Sequence, residues 1–97
     1  MATYILLATY TEQGIKGIKD TVKRTDAVKA MAKKVGLTMK ESYWTLGQYD
    51  VVAVFEAPDD ESMTAFALSV AQLGNVKTHT LRAFSSKEMT AILGKTM

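Results

Sequence analysis

Apolar positions along this chain alternate between two rhythms. In some stretches they run unbroken or recur every second residue; in others they recur every third or fourth. Residues 3–10 are almost continuously apolar, which predicts a strand buried on both faces in the middle of a sheet. Residues 11–20 contain Gly14 and Gly17, with Ile15 and Ile18 three apart, so only a short helical turn is expected there. Val28, Met31, Ala32 and Val35 then fall on one helical face after a cap at Asp20 or Thr21, and Gly36 supplies the left-handed stop. Residues 38–46 and 51–57 are rich in β-branched and aromatic side chains and read as two strands.

Between those strands lies Leu46-Gly47-Gln48-Tyr49-Asp50. Gly47-Gln48 fits a two-residue type II′ turn, which needs a positive φ at its first central residue. That turn sets Trp44 opposite Val51, Ser42 opposite Ala53 and Lys40 opposite Phe55, with Tyr43, Val52, Glu41, Val54, Met39 and Glu56 on the other face. A four-residue loop reaching Asp50 is the competing expectation, with a slipped register. Pro58-Asp59-Asp60-Glu61 opens a second helix, capped by Asp59, with Met63, Phe66, Ala67, Val70 and Leu73 as its buried stripe and Gly74 at its end. Residues 76–84 form a more polar strand, suited to a sheet edge. Ser85 to Glu88 then offers a capping box for a short final helix with Met89, Ile92 and Leu93 on its apolar side.

The order is strand, helix, strand, strand, helix, strand, terminal helix. This predicts an α+β chain: a ferredoxin-like βαββαβ sandwich with a C-terminal helix, in which the right-handed crossover rule puts the first and third strands at the centre. Those central strands are apolar on both faces, yet one helix layer covers only one of them. A second subunit is the simplest cover for the other, so a homodimer or an assembly of dimers is expected.

Length and composition narrow this further. The 97 residues are expected to form a single domain, 1–97, with no linker and no internal repeat. No apolar run approaches the ~20 residues of a membrane span, and the N-terminus shows no signal-peptide pattern, so neither membrane association nor export is expected. There is no cysteine, which removes disulfides and thiolate chemistry and is compatible with a cytoplasmic location. A net charge of +2 gives no argument for nucleic acid. The strand at 49–55 also lacks the basic and aromatic motif by which βαββαβ modules stack RNA bases. The lysines and Arg24 of the first long helix read as a solvated surface.

Candidate chemistry is sparse. His79 is the only histidine, too few ligands for a metal, and as a general base it would need a pocket. Tyr49 and Asp50 could handle protons at a pocket mouth, or simply pack and satisfy backbone donors at the turn. Glu56 and Arg82, near strand ends, could form an ion pair. Tyr4, Trp44, Phe55, Thr78 and Thr80 could line a space between two sheets, receiving a small apolar or aromatic ligand or serving as dimer interface. Gly14-Ile15-Lys16-Gly17 has neither P-loop nor dinucleotide spacing, so neither metal nor organic cofactor is expected.

Gly47-Gln48-Tyr49-Asp50, Glu56-Ala57-Pro58-Asp59-Asp60-Glu61, Leu73-Gly74-Asn75-Val76 and Thr80-Leu81-Arg82-Ala83-Phe84 occur in this order, together with Tyr4, Gly14, Lys19-Asp20 and Arg24. In these segments the chain resembles the GYD domain family of small bacterial proteins. The resemblance implies a dimeric α+β barrel, two ferredoxin-like subunits packed sheet to sheet, and brings no catalytic residues. The expected function is a non-enzymatic ligand-binding or assembly module. The alternative is a cofactor-free enzyme with substrate between the sheets and His79 or Tyr49/Asp50 as proton-transfer groups.

Overall fold

The computed structural model describes residues 1–97. The elements are β1 (Ala2–Tyr10), α1 (Glu12–Lys16), a 3-10 turn (Ile18–Asp20), α2 (Thr21–Lys34), β2 (Thr38–Trp44), β3 (Val51–Ala57), α3 (Asp60–Gln72), β4 (Val76–Ala83) and α4 (Ser86–Leu93). The strands form one sheet in the order β2-β3-β1-β4, every pair antiparallel, with the two most apolar strands at the centre. This is the ferredoxin-like α+β arrangement expected from the element order.

The core lies between the sheet and its helices. Tyr4, Leu6 and Ala8 of β1 and Ala53, Phe55 and Ala57 of β3 are buried against Ala32 of α2 and Met63, Phe66, Ala67 and Val70 of α3. The Phe55 and Phe66 rings meet at 5.3 Å between centroids. Alanines at three of the six strand positions let the helices sit close to the sheet. Helix α3 begins as anticipated, with Asp59 accepting from the Ser62 N–H at 2.7 Å, and α4 carries the full Ser85–Glu88 capping box. Helix α2 ends with Leu37 N–H bonded to the Ala32 carbonyl and Gly36 N–H to that of Lys33, which swings Leu37 into the core. Val35, expected on the buried stripe, is displaced outward by this turn and is 59% exposed. Leu73 is likewise outside the core.

The hairpin differs from the two-residue turn. Thr45 N–H donates to the Asp50 carbonyl at 2.9 Å and Thr45 Oγ donates to that of Tyr49 at 2.5 Å, so residues 46–49 form a four-residue loop. Gly47 holds φ +114° within it. The strand register is nonetheless the one a II′ turn gives, because a loop closed on Thr45 and Asp50 continues the same pairing: Trp44 opposes Val51 and Ser42 opposes Ala53. The expected Lys40–Phe55 pair does not form. A bulge between Met39 and Glu41 places Met39 opposite Phe55 instead. The cause is burial: Met39 is 7% exposed beside a fully buried phenylalanine, whereas Lys40 stays in solvent and reaches Glu56 at 3.5 Å.

One long-range clamp closes the layer. Thr11 N–H donates to the Asn75 carbonyl, Thr11 Oγ to that of Gly74, and Gln13 Nε2 to both the Leu73 carbonyl and Asn75 Oδ1. Helix α1 is thereby held against the α3–β4 connection so tightly that a Cβ on Gly14 would stand 2.1 Å from the Asn75 carbonyl oxygen.

Gly14→Ala should therefore lower stability by roughly 1–3 kcal/mol, since backbone must move to admit the methyl group. Gly17→Ala should cost less, because the nearest atom there, Nη1 of the Arg24 side chain, stands at 3.0 Å and no backbone atom comes closer than 3.8 Å. Denaturant midpoints of the two variants test the order. At Gly47 the surroundings are open, so Gly47→Val isolates the backbone cost, about 1–3 kcal/mol. The Ser62 backbone and side chain hold the Asp59 carboxyl below its ordinary pKa. Stability from a carboxylate with a lowered folded-state pKa is present above its unfolded value and is lost as pH falls through the folded one. Asp59→Ala should melt below the parent at neutral pH, with the gap closing in acid.

Candidate functional site

Strand pairing assigns every strand residue to one of two faces. Opposite the helices, the sheet presents rows read directly from the register: Tyr43, Val52, Leu7 and His79; then Glu41, Val54, Ile5 and Leu81; then Glu56, Thr3 and Ala83. No element of the chain covers this face. Ile5, Leu7, Val52 and Val54 are partly exposed, and Leu81 and Tyr43 are exposed. Fully burying one such aliphatic side chain is worth about 1.5–3 kcal/mol. For Ile5, Leu7, Val52 and Val54 the portion still exposed is a fraction of that, each comparable to the ~0–1 kcal/mol of a surface ion pair such as Lys40–Glu56. The charges of the face are Glu56, opposite Thr3, at one end and Lys77, opposite Thr9, at the other, with Glu41 and His79 on the edge strands beside Val54 and Leu7.

The candidate proton-handling residues are arranged differently from the expected pair. His79 lies on the uncovered face opposite Leu7, and the Tyr49 ring meets it edge-on, 6.0 Å between centroids. Asp50 is directed elsewhere. Its backbone N–H donates to the Ala8 carbonyl, and its Oδ2 accepts from Tyr10 N–H at 2.8 Å. The carboxylate thus extends the β1–β3 ladder one step beyond the last strand pair and is occupied in doing so. Tyr49 and Asp50 do not act on one point, whereas Tyr49 and His79 adjoin; a pairing across the sheet had no signature in the sequence.

The five residues expected to line a space between sheets are placed on the helix side. Tyr4 and Phe55 are in the core. Thr78 and Thr80 oppose Ala8 and Leu6 in the register, and Trp44 donates from its indole Nε1 to Thr21 Oγ at 3.2 Å. Alternation identifies which residues share a face; it is the side taken by α2 and α3 that decides which face is covered. Tyr4 donates its phenol proton to Asp60 at 2.5 Å, and this bond raises the Tyr4 pKa above the ordinary value. Glu56 and Arg82 do not pair, because they occupy opposite faces. Arg82 reaches Glu88 at 3.5 Å and stacks over the Tyr4 and Phe84 rings.

The helix side also holds a cavity of about 200 Å³ between α2, the end of α3 and the sheet. Leu6, Val51, Phe55, Val28, Met31 and Val70 contribute to its apolar wall, while Thr21, Arg24, Thr25 and Asn75 supply its polar residues. No cluster of three or more histidine, cysteine, aspartate or glutamate side chains is arranged to hold a metal ion, and no helix is long and apolar enough to cross a membrane.

A family model described as the GYD domain matches residues 4–93. A Thermus thermophilus protein named glutamine synthetase and cystathionine beta-lyase binding protein is 33% identical over 94 residues, 96% of this chain and 99% of that protein. The crystal structure of an FFRP protein superposes with a TM-score of 0.64 at 19% identity, covering 87% of this chain and 100% of that one. A second crystal structure, of a protein also from Thermus thermophilus, gives 0.59 at 24% identity, covering 89% and 96%. At these identities the two structures speak for the fold alone.

Proposed function

This chain belongs to the GYD domain family, and from that membership we propose that it is a cytoplasmic, non-catalytic binding protein that works as a sheet-to-sheet homodimer. The observation that carries the dimer is the uncovered apolar face, whose centre is formed by Ile5, Leu7, Val52 and Val54 on the two inner strands. A second copy is the occupant proposed: a two-fold axis lying between the sheets sets the apolar centre of one copy on that of the other. Both helix layers then face outward, where a larger protein would meet them.

The binding role rests on the relative that shares a third of its residues over nearly the full length of both chains and is named for binding two enzymes. By that likeness the partners proposed here are a glutamine synthetase and a cystathionine beta-lyase. The enzyme reading, a cofactor-free proton transfer, has the Tyr49–His79 contact in its favour. Against it stand the engagement of the Asp50 carboxylate by Tyr10 N–H and the position of His79 on an open sheet face rather than in a pocket.

Light scattering at micromolar concentration should give twice the chain mass. Leu7→Glu, in the centre of the face, should give folded monomer. Purified glutamine synthetase and cystathionine beta-lyase from the same host should each co-elute with the parent. A parent that is monomeric at that concentration would overturn the dimer, and failure of both enzymes to bind would overturn the choice of partners.

A further inference from the structure

The cavity on the helix side of the sheet has its origin in the side chains of α2. The helical spacing puts Thr21, Thr25, Val28 and Ala32 in one row along this helix. The residues of the row are small, and the sheet opposes its first half with Ala8 and Ala53. Two layers interdigitate when large side chains on one meet small ones on the other. In this region small meets small. Ala32 is the one residue of α2 that is buried, whereas Thr21, Thr25 and Val28 stay half-buried. The space of about 200 Å³ lies beside these three.

The polar groups that border the space are engaged with the protein itself. The Arg24 guanidinium donates to the Gly17 and Gly14 carbonyls at 2.7 and 3.1 Å. The Tyr10 hydroxyl and Thr21 Oγ share a hydrogen bond of 2.7 Å, and Thr21 Oγ also accepts from the Trp44 indole. Asn75 Oδ1 accepts from Gln13 Nε2, and the Asn75 carbonyl accepts from Thr11 N–H. No buried side-chain nitrogen or oxygen of the chain lacks a partner. The walls that remain are carbon and thioether sulfur, from Leu6, Val28, Met31, Val51, Phe55 and Val70. A charged or strongly hydrogen-bonding guest would lose its water there and gain nothing in exchange, a cost that an apolar guest does not meet.

Size narrows the class of guest. Protein interiors hold few voids larger than a water molecule, so a space of about 200 Å³ is more than a packing defect. It lies below the ~300–1,000 Å³ of pockets that take drug-sized molecules. An apolar cavity of roughly 150 Å³ stays dry and admits benzene. Leu73 lines the space and is 55% exposed, so the space reaches solvent at the end of α3 and a guest can enter. The Met31 and Met39 thioethers and the Phe55 ring are surfaces that suit the edge and face of an arene.

We infer that this cavity is a binding site for a small uncharged arene, about the size of a substituted benzene, held by packing alone. It is on the other side of the sheet from the face assigned above to a second copy, and its occupancy depends neither on the dimer nor on a protein partner.

Ethylbenzene is the probe, with benzyl alcohol as a counterpart of the same shape that carries a hydroxyl group. Methyl NMR of the full chain reads both affinity and place. Ethylbenzene should shift the methyl signals of Leu6, Val28, Met31 and Val70 and leave those of Ile5, Leu7 and Val54 on the opposite face unmoved. It should bind at least about tenfold more tightly than the alcohol. Ala53→Leu fills the space from the sheet and should weaken ethylbenzene binding by a similar factor. Val28→Phe fills it from α2 and should do the same, which keeps the test open if a leucine at position 53 prevents folding. Absence of cavity shifts at aqueous saturation with ethylbenzene would overturn the inference. So would shifts confined to the uncovered face, benzyl alcohol binding as tightly as ethylbenzene, or a folded, filled variant that binds like the parent.

Discussion

The structure depends on β1 more than on any other segment. It is hydrogen-bonded on both edges, to β3 and β4, and it is apolar on both faces. Tyr4, Leu6 and Ala8 draw the helices to one side, and Ile5 and Leu7 form the centre of the other. The rest of the fold secures the two ends of this strand. At its C-terminal end, the Asp50 carboxylate takes the Tyr10 N–H and the Asn75 carbonyl takes that of Thr11. Toward its N-terminal end the Tyr4 phenol is tied to Asp60 in the first turn of α3. A strand apolar on both faces leaves the sheet with one apolar face turned away from its helices.

This arrangement assigns physical roles to the segments that carry the family resemblance. Gly47-Gln48-Tyr49-Asp50 forms the β2–β3 loop, and its aspartate prolongs the ladder. Gly14 and Leu73-Gly74-Asn75 are the two sides of one backbone contact. Arg24 holds the α1 turn through two carbonyls. Each is a local solution to orphaned backbone groups or close approach, and none assembles a set of reacting groups.

The elements, the strand order and three of the helix caps were legible because they depend on local periodicity and on residues a few positions apart: Asp59 with Ser62, Ser85 with Glu88, Gly36 after Val35; at the start of α2 Asp20 holds the cap position but makes no side-chain capping bond. The placement of Tyr4, Trp44 and Phe55 was not. In a strand where both alternating sets are apolar, nothing in the pattern says which set the helices will cover. The one available signal was size, since Ala8, Ala53 and Ala57 mark the side where helices approach closely. The bulge at Lys40 was hidden for a similar reason. Its cause is a preference for Met39 over a lysine beside Phe55, and that neighbour is set by pairing rather than by sequence distance. The Arg24 anchor and the Tyr49–His79 contact join segments whose proximity only the fold creates.

The irregularity in β2 bears on how such chains can meet. A straight outer strand offers its free amides and carbonyls to any passing strand, and addition of that kind has no natural stopping point. Here one outer strand is kinked by the bulge and carries Lys40 and Glu41, and the other carries Lys77, His79 and Arg82. Both edges therefore resist templating, and the broad flank of the sheet is left as the route to self-contact. In the dimer proposed above, contact there would pair one patch with its own copy and be exhausted after a single event, closing as a pair instead of growing into a fibre.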